Sequence, residues 1–165
     1  MEIGDWSAPA SKFEFASPAW MAALHAALQD CASRADPATR LSLCEVFTGV
    51  PAHLDRHGTG LLAWHCRVSD GVAHFEETEA DDTDSKVVAD YAFLLPLTRW
   101  RLDESTTKAL EAYLAEGAGD GRFVRRGDTA HFPPEFAGLH DAMVKLTALS
   151  TRAVMADFRR LTGLP

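Results

Sequence analysis

The dipeptide Asp70-Gly71 separates two strand-forming runs, roughly 61 to 69 and 72 to 78, with nothing else between them. A two-residue Asp-Gly loop favours the tight hairpin turn whose central residues need positive φ, so it sets the pairing as well as the turn. With Ser69 opposite Val72, Cys66 faces Phe75 and Trp64 faces Glu77; on the other parity Arg67 meets His74 and His65 meets Glu76. One face is apolar and the other polar. Any fold for this chain must contain an antiparallel ribbon with a buried side and a wet side.

The remaining segments supply what can cover that ribbon. Residues 1 to 16 are mixed polar and small, an N-terminal arm expected to pack through Trp6, Phe13 or Phe15 or to stay mobile. At Ser17-Pro18 a helix begins, because serine accepts from the orphan amides of the first turn and proline lacks only an N–H that has no intrahelical role. Trp20, Leu24, Leu28 and Cys31 give it one apolar stripe through about residue 32. Residues 40 to 50 read as a strand, although Leu41 and Leu43 fall on one parity and Cys44 and Val46 on the other, which predicts a bulge or burial on both sides.

Glu76, Glu77, Glu79, Asp81, Asp82 and Asp84 repel one another and predict an exposed loop. A short strand follows at 85 to 90, then a helical turn at 91 to 95 that Pro96 interrupts. Asp103 is positioned to cap a helix carrying Ala109, Leu110, Tyr113 and Leu114 on one face, with Gly117 as its stop. Gly119-Asp120-Gly121 reads as a turn, and 122 to 126 as an edge strand whose arginines discourage edge pairing. From about Pro134 the periodicity of Phe136, Leu139, Met143, Leu146, Ser150 and Val154 predicts one helix to the end of the chain. No repeat or linker interrupts residues 17 to 165, which are read as a single domain after the arm.

Composition narrows the function classes. The 165 residues are 47% hydrophobic and 24% charged, ordinary for a folded chain and too apolar for a disordered one. A net charge of -8 repels nucleic acid and anionic membranes, so neither is an expected partner. Cys31, Cys44 and Cys66 are odd in number and contain no C-x-x-C pair, which fits reduced thiols in an intracellular setting. No window of 18 apolar residues exists for membrane insertion, and Met1 to Asp5 lacks the basic and apolar regions of a signal peptide. The expected location is cytoplasmic.

Seven histidines invite a search for chemistry. His53 and His57 are four apart, but Pro51 and Gly58 leave little room for a helix and no third ligand is evident, so a solvated loop is the better reading and no metal is expected. Asp82 and Asp84 match the first and third positions of a calcium loop; Lys86, Val87 and Phe93 at its fifth, sixth and twelfth positions do not. Phosphate-loop, G-x-G-x-x-G and G-x-S-x-G motifs are absent, and no cofactor is expected. His65 with Glu76, and His140 with Asp141 near His131, are the acid–base candidates. For the first pair a wet sheet face is the plainer explanation, and for His140 a buried histidine with a partner.

The order of segments resembles the sterol-carrier-protein family, small lipid-binding domains whose bacterial members occur alone. The resemblance is carried by Ser17-Pro18-Ala19-Trp20-Met21-Ala22-Ala23-Leu24, by Val68-Ser69-Asp70-Gly71-Val72, by Asp84 to Tyr91 after the acidic loop, and by Gly121 to Asp128. These span about residues 17 to 150. The resemblance implies an α+β fold: a five-stranded, mostly antiparallel sheet covered by helices and enclosing an apolar tunnel, with no catalytic residues. The chain departs from the family pattern at Trp100-Arg101, where a glycine-bearing loop is frequent, and in its long C-terminal helix without a peroxisomal address.

The leading expectation is a carrier or sequestering domain for a sterol, fatty acyl group or similar hydrophobic molecule. Its walls are expected from Trp64, Phe75, Leu94, Leu97, Trp100, Phe132, Phe136 and Met143. Two rival readings stand beside it. One is an isomerase, hydratase or cyclase using His65 with Glu76 or His140 with Asp141. The other is an interaction subunit, including a homodimer, built on the C-terminal helix.

Overall fold

The computed structural model describes residues 12–101, 103, 106–128 and 132–148. A two-residue strand β1 (Phe13–Glu14) leads into helix α1 (Pro18–Arg34), followed by strands β2 (Leu41–Thr48), β3 (Leu61–Ser69), β4 (Val72–Glu76) and β5 (Ser85–Asp90). Then come α2 (Tyr91–Leu94), a 3₁₀ turn (Pro96–Arg99), α3 (Thr107–Asp120), β6 (Phe123–Gly127), a second 3₁₀ turn (Pro134–Phe136), α4 (Leu139–Leu146) and β7 (Thr147–Ala148). Five strands form one sheet in the order β4-β3-β2-β5-β6, and only the β2–β5 pair is parallel. The fold is α+β, with a largely antiparallel five-stranded sheet and helices packed against it.

The β3–β4 hairpin has the expected register, with Cys66 opposite Phe75, Arg67 opposite His74 and His65 opposite Glu76. Asp70 and Gly71 both hold positive φ, 53° and 73°, as the tight turn demands. Strand β2 is central, and this resolves its mixed parity. Leu41 and Phe47 are buried on the side covered by helices, while Ser42, Cys44 and Val46 are buried on the other. No bulge interrupts its ladder with β3.

The outer side of the sheet is covered in part by the acidic loop. Its carboxylates remain largely exposed, as repulsion demands, but each anchor meets a partner on the sheet. Asp82 pairs with Arg67 at 2.6 Å, Asp84 accepts from the Ser42 amide at 2.6 Å, and Asp81 and Glu79 both accept from Lys86, whose side chain is only 3% exposed. Burial opposes the Lys86 charge, but the two carboxylates outweigh it and raise its pKa. The loop is therefore a strap tied down by buried and half-buried donors.

Two expectations about helix ends are corrected. Gly117 does not stop α3, which runs to Asp120 and closes at Gly121 with φ 82°. Gly117 instead sits against the Phe93 ring, where a Cβ would lie 2.2 Å from Cζ, so its lack of a side chain serves packing. The helix expected from Pro134 to the chain end breaks into a 3₁₀ turn and α4, and α4 ends at Leu146. Thr147 turns extended, its hydroxyl donates to the Met143 carbonyl at 2.7 Å, and its backbone pairs in parallel with Phe13. Ser150, Val154 and the remainder of that expected stripe lie outside the described residues, as do Trp6 and His131. Asp103 caps one turn ahead of the helix proper, its Oδ1 accepting from the Thr106 amide at 3.0 Å.

Two apolar clusters fill the side of the sheet that carries the helices. The larger joins α1 to β2, β3 and β4, with Phe15, Tyr91, Phe136 and Met143 closing it. The smaller gathers Val87, Ala89, Phe93, Tyr113 and Phe123 between α3 and the β5–β6 end.

Candidate functional site

Between the two clusters lies a cavity of about 370 Å³. The sheet provides its floor, because alternate residues of each strand point to the same side: Leu43, Glu45 and Phe47 of β2, Trp64 of β3, Val87 of β5, and Phe123 and Arg125 of β6. Trp20 and Leu24 of α1 close one side, Leu110 and Leu114 of α3 the other. Leu94, Leu97 and Thr98 from the short turns, Phe132, Leu139, His140, Met143 and Val144 around α4, and Thr147 also line it, and it stays partly open to solvent. Most of this surface is hydrocarbon or aromatic.

Hydrogen bonds hold the frame. The Trp20 indole donates to Thr147 Oγ1 at 2.9 Å, locking α1 to the end of α4, and the Tyr91 hydroxyl donates to the Phe15 carbonyl at 3.1 Å. On the far side the Tyr113 hydroxyl donates to the Phe93 carbonyl at 2.7 Å, with the two rings stacked 4.5 Å apart. These polar groups are satisfied within the protein, so the cavity wall keeps its apolar character.

Of the residues expected as walls, Trp64, Leu94, Leu97, Phe132 and Met143 line the cavity. Phe75, Trp100 and Phe136 stand outside it. Phe75 stacks between His25 and Trp64, with ring centroids 5.1 and 5.6 Å away; Trp100 packs on Tyr113; and Phe136 belongs to the larger cluster. Sequence periodicity places such residues in an interior without saying which of them border empty space.

His65 and Glu76 are neighbours across the hairpin, on the side of the sheet away from the cavity. The His65 Nδ1–H donates to the Thr78 carbonyl at 2.8 Å, so this imidazole fastens the acidic strap. His140 does line the cavity, and its Nε2–H donates to the Trp100 carbonyl at 2.6 Å; Asp141, beside it in sequence, is not among the lining residues. His53 bonds Glu14 at 2.8 Å in an exposed pair.

The residue that pattern reading missed is Glu45. It is the one carboxylate among the cavity-lining residues, on the central strand, and its Oε2 accepts from the Trp64 indole N–H at 3.1 Å. Burial pushes its pKa up to about 7, opposed by the Trp64 hydrogen bond and by the charge of Arg125. The signal for it was present as a single acid inside Leu41-Ser42-Leu43-Cys44-Glu45-Val46-Phe47, where a two-sided strand has no wet face to receive it.

A second depression of about 410 Å³ lies on the outer face, bordered by Arg40, Arg67, His74 and Asp84. Its arginines are already paired, Arg40 with Asp70 at 2.8 Å and Arg67 with Asp82. It is a polar surface groove with its charges internally satisfied, and it makes a weaker candidate than the apolar cavity.

No protein-family profile matches the chain, and no curated protein matches it by sequence. Among solved structures it is similar to a conserved hypothetical protein from Thermus thermophilus described as possibly a sterol carrier protein, with 18% identity, TM-score 0.44, and coverage of 86% of this chain and 95% of that one. It is also similar to a crystal structure of sterol carrier protein 2, with 19% identity, TM-score 0.45, and coverage of 81% and 96%. A ubiquinone synthesis protein described as UbiJ-SCP2 gives 17% identity, TM-score 0.40, and coverage of 76% and 96%. Among the described residues, no helix is long and apolar enough to cross a membrane.

Proposed function

We propose that this chain binds a hydrophobic small molecule in the cavity between its two core clusters and carries or sequesters it. The observation that supports this reading is the cavity itself, whose volume of about 370 Å³ falls within the usual range for small-molecule sites. Removing a guest from water contributes about 0.8 kcal/mol for each CH₂ buried, so an apolar wall suffices and no reactive group is needed. Trp64, Leu94, Leu97, Phe132 and Met143 are the proposed contacts. A sterol, a fatty acyl group or a similar lipid is the guest class that the sequence resemblance implies.

The test uses N-phenylnaphthylamine, a neutral apolar dye whose emission rises in a dry site. The native chain is expected to bind it with saturation, and a Leu97→Trp variant, which fills the cavity, is expected to lose most of that binding while keeping its circular dichroism. Absence of binding to the native chain, or undiminished binding to the filled variant, overturns the proposal.

A further inference from the structure

The cavity wall is mostly apolar; Ser85, Thr98, His140 and Thr147 also border it, but Glu45 is the one carboxylate among the lining residues. Across the sheet, Trp64, Glu45, Val87 and Arg125 stand side by side on neighbouring strands and face the same side. Two strand spacings put the Glu45 and Arg125 backbones roughly 10 Å apart. Arg125 is exposed at the sheet edge, its guanidinium carbon 5.5 Å from the centre of the Phe123 ring. Glu45 lies inside, and among the described residues the Trp64 indole is its one hydrogen-bond partner. That bond engages Oε2, and Oε1 has no hydrogen-bond partner among the described residues.

Resting on the reading of the cavity as a ligand site, the geometry points to Glu45 as an internal polar anchor for the hydroxyl group of an otherwise apolar guest. A pure hydrocarbon would displace water from the carboxyl and offer Oε1 nothing in return, which costs more than a typical hydrogen bond contributes. An anionic head would meet the like charge of ionised Glu45, and a cationic head would have to shed its hydration in an apolar chamber. A hydroxyl fits both protonation states, because it donates to a carboxylate and accepts from a carboxylic acid. Both states are populated near neutrality, since burial lifts this carboxyl to about 7. The other titratable or charged groups among the lining residues are Arg125 on β6, His140 on α4 and the Cys44 thiol on β2, whose pKa burial raises.

The experiment compares decanol with nonyl methyl ether, two guests of similar length that differ in whether the oxygen can donate. Binding is followed by tryptophan emission or calorimetry at about pH 5.5 and about pH 8.5, on either side of the Glu45 titration. The native chain is expected to prefer the alcohol by about tenfold at the higher pH, and by much less at the lower pH, where the protonated acid donates to either oxygen. Glu45→Met is expected to bind both guests and lose the preference. Glu45→Gln, which offers a donor and an acceptor at every pH, is expected to bind both with a ratio that does not change with pH. Equal binding of alcohol and ether by the native chain at about pH 8.5, or a preference that survives in Glu45→Met, overturns the anchor while leaving the cavity reading intact. Failure of both guests to bind overturns the anchor and the cavity reading together.

Discussion

The half of the sheet beneath α1 and the half beneath α3 are built from the same kinds of element and filled very differently. Helix α1 buries Trp20, Met21, Leu24, Leu28, Cys31 and Ala32; α3, only three residues shorter, buries Tyr113 and Gly117. Beneath α1 the side chains interlock with those of β2 and β3. Beneath α3, Leu110 and Leu114 stay partly exposed, and the sheet below them carries Glu45 and Arg125 among its apolar residues. The cavity lies along this seam. A well-packed half supplies stability, and an underfilled half supplies space.

This contrast can be broken by mutation. The largest effect is expected from Leu28→Ala, which removes a fully buried side chain from the filled half and should cost about 2–5 kcal/mol in denaturant unfolding. A loss near zero would mean that this half is not the tightly packed one. Glu45→Gln should come next and depend on pH. Because the folded-state pKa of Glu45 is raised from 4.5 to about 7, the carboxyl favours folding fully below its unfolded value, and that contribution is lost as pH rises through about 7. The variant should therefore gain stability relative to the native chain between those values, by roughly 3 kcal/mol at the alkaline end. A difference that stays flat with pH would place the carboxyl in water.

Gly117→Ala should cost about 1–3 kcal/mol despite better helix propensity, because the new methyl group meets the Phe93 ring. If it stabilises instead, the ring yields into the adjoining space and the thin half is looser than its geometry indicates. The smallest effect is expected from Leu114→Ala, about 1 kcal/mol or less, since this side chain already borders the cavity and is only partly buried. Calorimetric melting of these last two variants side by side ranks contact with a ring against contact with a void.

Much of this architecture is legible in the residues. Asp70-Gly71 dictates the hairpin register, Ser17-Pro18 opens α1, with the serine hydroxyl accepting from the Trp20 amide at 3.2 Å, and the two-sided burial of β2 explains why its parity is mixed. The misreadings share one physical cause. Gly117 looks like a helix stop until a ring from another segment is laid against it, and the helix expected to continue past Leu146 ends where Trp20 and Phe13 engage Thr147. Long-range partners decide both. The cavity was legible only as a set of large apolar residues, because the difference between Trp64, which borders the space, and Phe136, which does not, depends on how the helices cross. Glu45 was overlooked because a lone acid in a strand signals little until its neighbours across the sheet are known.

The short parallel pairing of Phe13–Glu14 with Thr147–Ala148 brings opposite ends of the described chain to adjacent positions. Tension applied through those two segments would load this pair in shear before reaching any rung of the main sheet. A single-molecule pulling experiment anchored there should accordingly record an early, weak rupture that releases α1 from α4, ahead of the principal unfolding event.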